Sequence, residues 1–185
     1  MNFITTISLS ILCSFLPAVA YESMHEKTPV GKIIIFDLPN RTALEATSQS
    51  GYFYSDNGLF RKLFKYISAN DVSMTTPVEA EINPGKMRFF IGQKDLGKKL
   101  ISNKSVNVLK VPKQKVVSIG IRGSYTKETF FKNKKALEIW LSKNKNFTQS
   151  GEAYGVYWNG PFVPGFFKRS EIHIPIKSNP KKIKQ

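Results

Sequence analysis

Apolar positions recur along this chain with two periods. Alternation or short apolar runs predict eight strands: Lys32–Phe36, Thr42–Ser48, Ser73–Ile82, Lys86–Ile91, Val106–Val111, Lys115–Arg122, Glu152–Trp158 and Lys168–Ile176. Two segments instead follow the helical period. Gly58–Ser68 places Leu59, Phe60, Leu63, Phe64 and Ile67 on one stripe, with Arg61 and Lys65 one turn apart on another face. Lys127–Lys143 does the same with Phe130, Leu137, Trp140 and Leu141. Written as elements, the order is strand, strand, helix, strand, strand, and then the same five again. The halves share order and not sequence, so the pattern predicts one α+β domain built as a pseudo-twofold ββαββ repeat. Pro39-Asn40, Asn83-Pro84-Gly85 and Pro112-Lys113 supply the turns that adjacent strands need.

The first 20 residues stand outside this pattern. They carry no charged side chain, hold an apolar run from Ile7 to Leu16 and end in Ala18-Val19-Ala20, the small-x-small pattern of a signal-peptide cleavage site. The expectation is an export signal over residues 1–20, with a mature chain of residues 21–185 that is periplasmic in a Gram-negative bacterium and secreted otherwise. The apolar core is too short to span a bilayer well, so no transmembrane segment is expected in the mature chain. Cys13, the single cysteine, lies within this segment. Its removal leaves no thiol for a disulfide, a thiolate metal site or a nucleophile, so the fold must stand on packing.

With 185 residues and 41% hydrophobic content, the chain suffices for one filled core. The formal charge of +15 falls wholly on residues 21–185 and predicts attraction to anions. Lysine is spread along the chain and into a short basic tail, residues 177–185, without aromatic readers beside it. That distribution argues for a solvated basic surface, against specific nucleic-acid recognition, and leaves open non-specific contact with an anionic surface or lipid.

Groups with reactive chemistry are scarce. His25 falls near the mature terminus and is expected to be frayed; His173 falls in the last strand. The period-two rule places Arg169, Glu171, His173 and Pro175 on one face of that strand and Ser170, Ile172, Ile174 and Ile176 on the other. His173 is thus expected to be a surface residue on a polar face, a weak candidate metal ligand only. No Gly-x-Ser-x-Gly elbow or glycine-rich phosphate loop occurs. Glu79 and Glu81 share a face of one strand, and with Glu171 are expected to pair with basic side chains. Near the C-terminus, Tyr154, Tyr157, Trp158, Phe162, Phe166 and Phe167 surround a Pro- and Gly-stiffened loop ending in Lys168-Arg169. An apolar wall with a cationic rim suits a flat ligand carrying carboxylates.

Two stretches resemble the SOUL/haem-binding protein family. Leu63-Phe64-Lys65-Tyr66-Ile67-Ser68-Ala69-Asn70, followed by Met74-Thr75-Thr76-Pro77-Val78, is similar to the family's Leu/Phe-rich helix, its turn and its Met-Thr-x-Pro-Val strand. Trp158 through Ile172 resembles its Pro-rich loop and the Arg-Arg-Asn-Glu-Val that follows. Ala69 stands for the family's Gly, Ser170 for its Asn, and the loop lacks the usual Pro-Pro pair. The resemblance, spanning residues 27–176, implies a distorted β-barrel or paired antiparallel sheets with a GyrI-like fold. It implies haem or another tetrapyrrole as ligand in a shallow apolar groove, often without a protein axial ligand. By motif position the binding residues would be Phe60, Lys65, Met74, Trp158, Phe162 and Arg169. Proline at position 77 removes a ladder donor, and the helix and Met-Thr-Thr-Pro-Val strand are expected to form a hinge between the sheets of the two halves.

The expected function is an exported, non-enzymatic tetrapyrrole carrier or buffer. Two alternatives stand beside it. One is an enzyme on the same scaffold, demetallating a tetrapyrrole or hydrolysing a small molecule with Glu79, Glu81 or Glu171 as acid or base. The other is a basic envelope protein that binds anionic polymer or lipid.

Overall fold

The computed structural model describes residues 21–54 and 58–179. The expected export signal and Cys13 lie outside the described residues, as does the end of the basic tail. Among the described residues eleven strands and two helices are present: β1 (Glu22–Ser23), β2 (Ile33–Leu38), β3 (Arg41–Ser48), α1 (Leu59–Ala69), β4 (Thr75–Thr76), β5 (Val78–Glu81), β6 (Gly85–Phe90), β7 (Asn107–Val111), β8 (Gln114–Arg122), α2 (Lys127–Lys143), β9 (Phe147–Gln149), β10 (Tyr154–Tyr157) and β11 (Arg169–Ser178). The fold is α+β, with a strongly curled antiparallel sheet ordered β2-β8-β11-β10-β5-β6-β3-β7, β9 pairing on β11, and a small parallel pair β1-β4.

The strand order carries the pseudo-twofold. Exchanging β2 with β7, β3 with β8, β5 with β10 and β6 with β11 reverses the order onto itself. The axis therefore passes between β5 and β10. Each half lends its first strand to the other: β2 pairs with β8, and β7 with β3.

One face of the sheet carries both helices. α1 buries Leu59, Leu63, Tyr66 and Ile67 against Leu44, Met87 and Phe89. Its N-cap is Gly58 in the left-handed region at φ 60°, with no side-chain cap, so packing rather than capping holds the helix. α2 begins at Thr126, whose hydroxyl accepts the Thr129 N–H, and buries Phe130 and Leu137 against Val117, Ile172 and Ile174. Each fully buried Leu, Ile or Phe contributes on the order of 2 kcal/mol relative to exposure.

The Met-Thr-Thr-Pro-Val strand breaks at Pro77. Residues before it, in β4, pair with β1; residues after it, in β5, pair with β6 and β10. A residue without an N–H sits where the chain changes partner, but the break separates the small β1-β4 pair from the main sheet and not one half from the other, because both halves share one continuous sheet.

An N-terminal strap, residues 21–32, crosses the other face. β1 runs parallel to β4, the Met24 N–H donates to the Thr76 carbonyl, Val30 bridges to Gly120, and the Gly31 N–H donates to the Gly120 carbonyl. Only glycine is tolerated at position 120, because a Cβ there would stand 2.3 Å from the Thr28 carbonyl oxygen.

Candidate functional site

The sheet face away from the helices is polar, and its centre is set by register. Glu79 on β5 and Glu171 on β11 both lie opposite Val156 on β10, so the two carboxylates flank the pseudo-twofold axis on one face. One row along, Glu81, Tyr154, His173 and Ser118 align in the same way.

Glu171 is the hub of the second half. Its oxygens accept the Trp158 indole N–H at 2.7 Å, the Thr28 N–H at 2.9 Å, the Thr28 hydroxyl at 2.8 Å and the Ser118 hydroxyl at 3.0 Å. His173 Nε2 lies 2.8 Å from the same carboxylate, and His173 Nδ1 lies 3.3 Å from the Tyr154 hydroxyl. Burial alone would raise the Glu171 carboxyl. The donors from His173 and Thr28 outweigh it and hold the group at about 2. Glu171 thus lacks the partner expected of it: its donors are an indole, hydroxyls, an amide and an imidazole in place of a lysine or arginine.

Both histidine expectations are corrected. His173 is 0% exposed and not on the surface. The period-two rule gave its face correctly, but the curled sheet and the strap enclose that face. His25 is not frayed. Its ring packs between Phe36, Trp158 and His173 at centroid distances of 5.3, 5.1 and 5.6 Å. Burial lowers its pKa, with the nearby His173 and Arg41 adding to the effect. Lys27 lies 5.0 Å over the Trp158 ring, and Arg169 donates from Nη2 to the Thr28 carbonyl at 3.0 Å. The strap therefore seals Trp158, Glu171 and His173 from solvent.

The first half uses charge in place of a hydrogen-bond hub. Arg41 donates from Nη1 to Glu79 at 2.7 Å, with both side chains buried, and its guanidinium lies 4.0 Å over the Phe90 ring. Glu81 binds Lys86 at 3.0 Å and Arg88 at 2.7 Å, as expected of a carboxylate facing basic neighbours. A cleft of 420 Å³ opens beside Arg41 between the strap residues Glu22 and Met24 and the segment around Ile91 and Leu96.

The exposed apolar surface lies elsewhere. Among the described residues the exposed phenylalanines are Phe60, Phe64, Phe131, Phe162, Phe166 and Phe167. Phe64, Phe162, Phe166 and Phe167 fall on the two stretches that carry the family motifs, and Phe60 lies one turn before the first on α1. Phe60 and Phe64 stack on α1 at 5.9 Å and 13°, beside exposed Lys65. Phe162 is 97% exposed at the tip of the β10–β11 loop. A tyrosine stack ties the two stretches together: Tyr52, in the lead to α1, stacks on Tyr157 at 5.6 Å, and Tyr157 meets Tyr125 at 4.5 Å. The Tyr125 hydroxyl accepts the Asn159 N–H at 3.0 Å and donates to the Arg169 carbonyl at 2.8 Å, pinning the loop's base.

The six residues named by motif position divide accordingly. Lys65 and Phe162 are solvent-facing, while Phe60 is part-exposed and sets its ring edge-on to buried Phe89 at 5.4 Å. Met74 is half-buried and packs inward on the α1 core, while Trp158 and Arg169 are committed to Glu171 and the strap. Of the six loop aromatics, Tyr154, Tyr157 and Trp158 are core residues, leaving Phe162, Phe166 and Phe167 outside. Phe64 escaped the motif-based selection, although its place on the α1 stripe next to Phe60 was visible in the pattern. Thr28 and Ser118 carried no sequence signal of any kind, because only the tertiary fold brings them to Glu171. Among the described residues no cluster of three metal-ligating side chains occurs, and no helix is long and apolar enough to cross a membrane.

Comparison with known proteins places this geometry. The family model described as SOUL heme-binding protein matches residues 17–175. A search of curated protein sequences finds no match. Similar solved structures include an EcmrR–DNA complex determined by cryo-EM (TM-score 0.64, 11% identity), in which 80% of this chain aligns to 58% of that one. The EcmrR C-terminal domain alone (TM-score 0.62, 11% identity) aligns 80% of this chain to 98% of that one. A hydrolase from Listeria innocua (TM-score 0.54, 9% identity) aligns 81% of this chain to 94% of that one. At these identities the structures show a shared fold. The chain spans little more than half of the EcmrR protein in the complex.

Proposed function

The chain belongs to the SOUL haem-binding family, and on that premise we propose that it binds haem or another tetrapyrrole as a carrier or buffer, on the exposed phenylalanines of α1 and the β10–β11 loop. One observation carries the reading: four of the six exposed phenylalanines among the described residues, Phe64, Phe162, Phe166 and Phe167, sit on the two motif stretches, and Phe60 stacks on Phe64 one turn before the first. Flat rings left in water at such positions suit the face of a macrocycle, and Lys65 and Lys168 stand beside them to meet carboxylate side groups. These residues fit the organic part of the ligand. They offer no imidazole to its metal, because His173 is fully enclosed and His25 is packed between Phe36 and Trp158. Recognition therefore rests on the macrocycle, with the iron as cargo.

Glu79 and Glu171 are poorly placed for acid or base catalysis, since both are buried and engaged by protein partners, and Glu81 is held between Lys86 and Arg88. The carrier reading is preferred over the enzymatic one for that reason. Export is the second part of the proposal, supported by the uncharged apolar segment ending in Ala18-Val19-Ala20. Mass measurement of protein recovered outside the cytoplasm should give a chain beginning at Tyr21; a full-length mass would refute cleavage there.

The direct test of the surface is an absorbance titration with haemin of the parent, Phe60→Ala, Phe162→Ala and the double variant. Loss of each ring should weaken binding about tenfold, equivalent to about 1.4 kcal/mol. Unchanged affinity in the double variant would remove the proposed surface.

A further inference from the structure

The loop between β10 and β11 displays its rings instead of folding them inward. Its base is fixed by the two Tyr125 hydrogen bonds and by the Arg169 N–H donating to Asn159 Oδ1 at 2.7 Å. A single 3-10 turn, Gly165–Phe167, stiffens the far side, where the Phe166 and Phe167 rings meet at 4.3 Å. Phe162, Phe166 and Phe167 are left 97%, 68% and 57% exposed. A loop free to rearrange would bury such rings against itself; a pinned one holds them out at a standing cost in hydration.

Charge surrounds that tip with one sign. The segments that meet at the loop's base, residues 121–127 and 158–170, hold no Asp or Glu and carry Arg122, Lys127 and Lys168 as available cations, with Arg169 spent on the Thr28 carbonyl. They are brought together by the pairing of Arg122 with Arg169 and by the Gly123 N–H donating to the Lys168 carbonyl. The carboxylates that directly follow these segments are Glu128, exposed in the first turn of α2, and Glu171, which is buried and faces away from solvent. The whole chain adds a long-range field of formal charge +15.

We propose that this tip docks the protein on an anionic bilayer surface, with the three phenylalanines entering the boundary between headgroups and acyl chains and the cations at the base meeting lipid phosphates. Rings ahead of a cationic collar are the arrangement that gains from both the apolar and the charged layer of a membrane. A three-ring tip covers too little area for a stable protein interface, whereas a fluid surface deforms around it. The inference is independent of tetrapyrrole binding, although Phe162 serves both, so the test contains no haem.

The purified chain is floated with vesicles of phosphatidylcholine alone and of phosphatidylcholine with phosphatidylglycerol, at low and high salt, alongside F162S/F166S and K168E. The expected result is association with the anionic vesicles that falls at high salt, falls about tenfold or more in the double serine variant and falls less in K168E. Unchanged thermal melting of the variants shows that the fold is intact. Equal binding to neutral vesicles, equal binding by the double variant, or self-association that buries the rings in a second copy would each overturn the proposal. A negative result here leaves the haemin titration unaffected, so the two readings fail separately.

Discussion

The strap-covered sheet face and the exposed phenylalanine surface divide the labour of this molecule in a way its residue types would not suggest. The groups usually associated with chemistry are enclosed and satisfied within the protein: Glu171 with Trp158 and His173, and Glu79 with Arg41. The groups usually associated with cores, phenylalanines, stand in water on α1 and on the β10–β11 loop. Reactive side chains here serve stability, and apolar ones are free for binding. Variants should therefore separate: changes under the strap should lower melting temperature, and changes at the β10–β11 loop tip should lower affinity alone.

The largest effect should come from Arg41→Ala, which strands the Glu79 carboxylate in the interior. A loss of about 3–5 kcal/mol is expected in denaturant unfolding, with much of it recovered in the double variant Arg41→Met/Glu79→Leu, where no charge is left unpaired. A small loss in the single variant would mean that Glu79 reaches water.

Glu171→Gln should cost about 2 kcal/mol, because the donors from Trp158, Thr28, Ser118 and His173 lose a charged acceptor. The same group supplies a pH signature. Its folded value of about 2 lies below the ordinary 4.5, so its contribution is present above that value and is lost as pH falls from about 4.5 toward 2. Stability of the parent should decline through that window, and the Gln variant should lack that component. Parallel declines would show that other carboxyls account for it.

Thr28→Val keeps the strap's shape while removing one donor to Glu171, and should cost about 1 kcal/mol. Smallest of all in stability terms is Phe162→Ala, expected within about 0.5 kcal/mol of the parent. Its effect should appear in binding. If Phe162→Ala destabilised as much as Thr28→Val, the loop tip would be packed and the contrast between the two regions would fail.

The repeating ββαββ order, both helices and all eight expected strands were legible because each is written in local periodicity. α2 was bounded at Lys127 and Lys143 from sequence, as the structure has it. The strap was not legible: residues 21–32 have no period, and their partners are more than 40 residues away, at Thr75 on β4 and Gly120 on β8. Short β9 was missed for a similar reason, since its pairing with Ile176–Ser178 of β11 is tertiary and turns part of the expected basic tail into strand. At His173 and Glu171, alternation identified the right face, but polarity was equated with solvent. That equation fails where a sheet curls over its polar side and a strap closes it. Polar residue type alone does not distinguish a wet face from a buried network; the count of donors available to satisfy it does.

Recognition of a macrocycle by stacking on this surface needs no histidine. It is tested most directly by titrating untagged protein in parallel with haemin and with metal-free protoporphyrin, since an added polyhistidine tag would itself ligate iron. Saturable binding of both, with comparable affinities and a shared loss in Phe60→Ala/Phe162→Ala, is the expected result. Saturable binding of haemin alone, abolished by replacing His25 or His173 in a variant that still folds, would contradict the account and move the site beneath the strap.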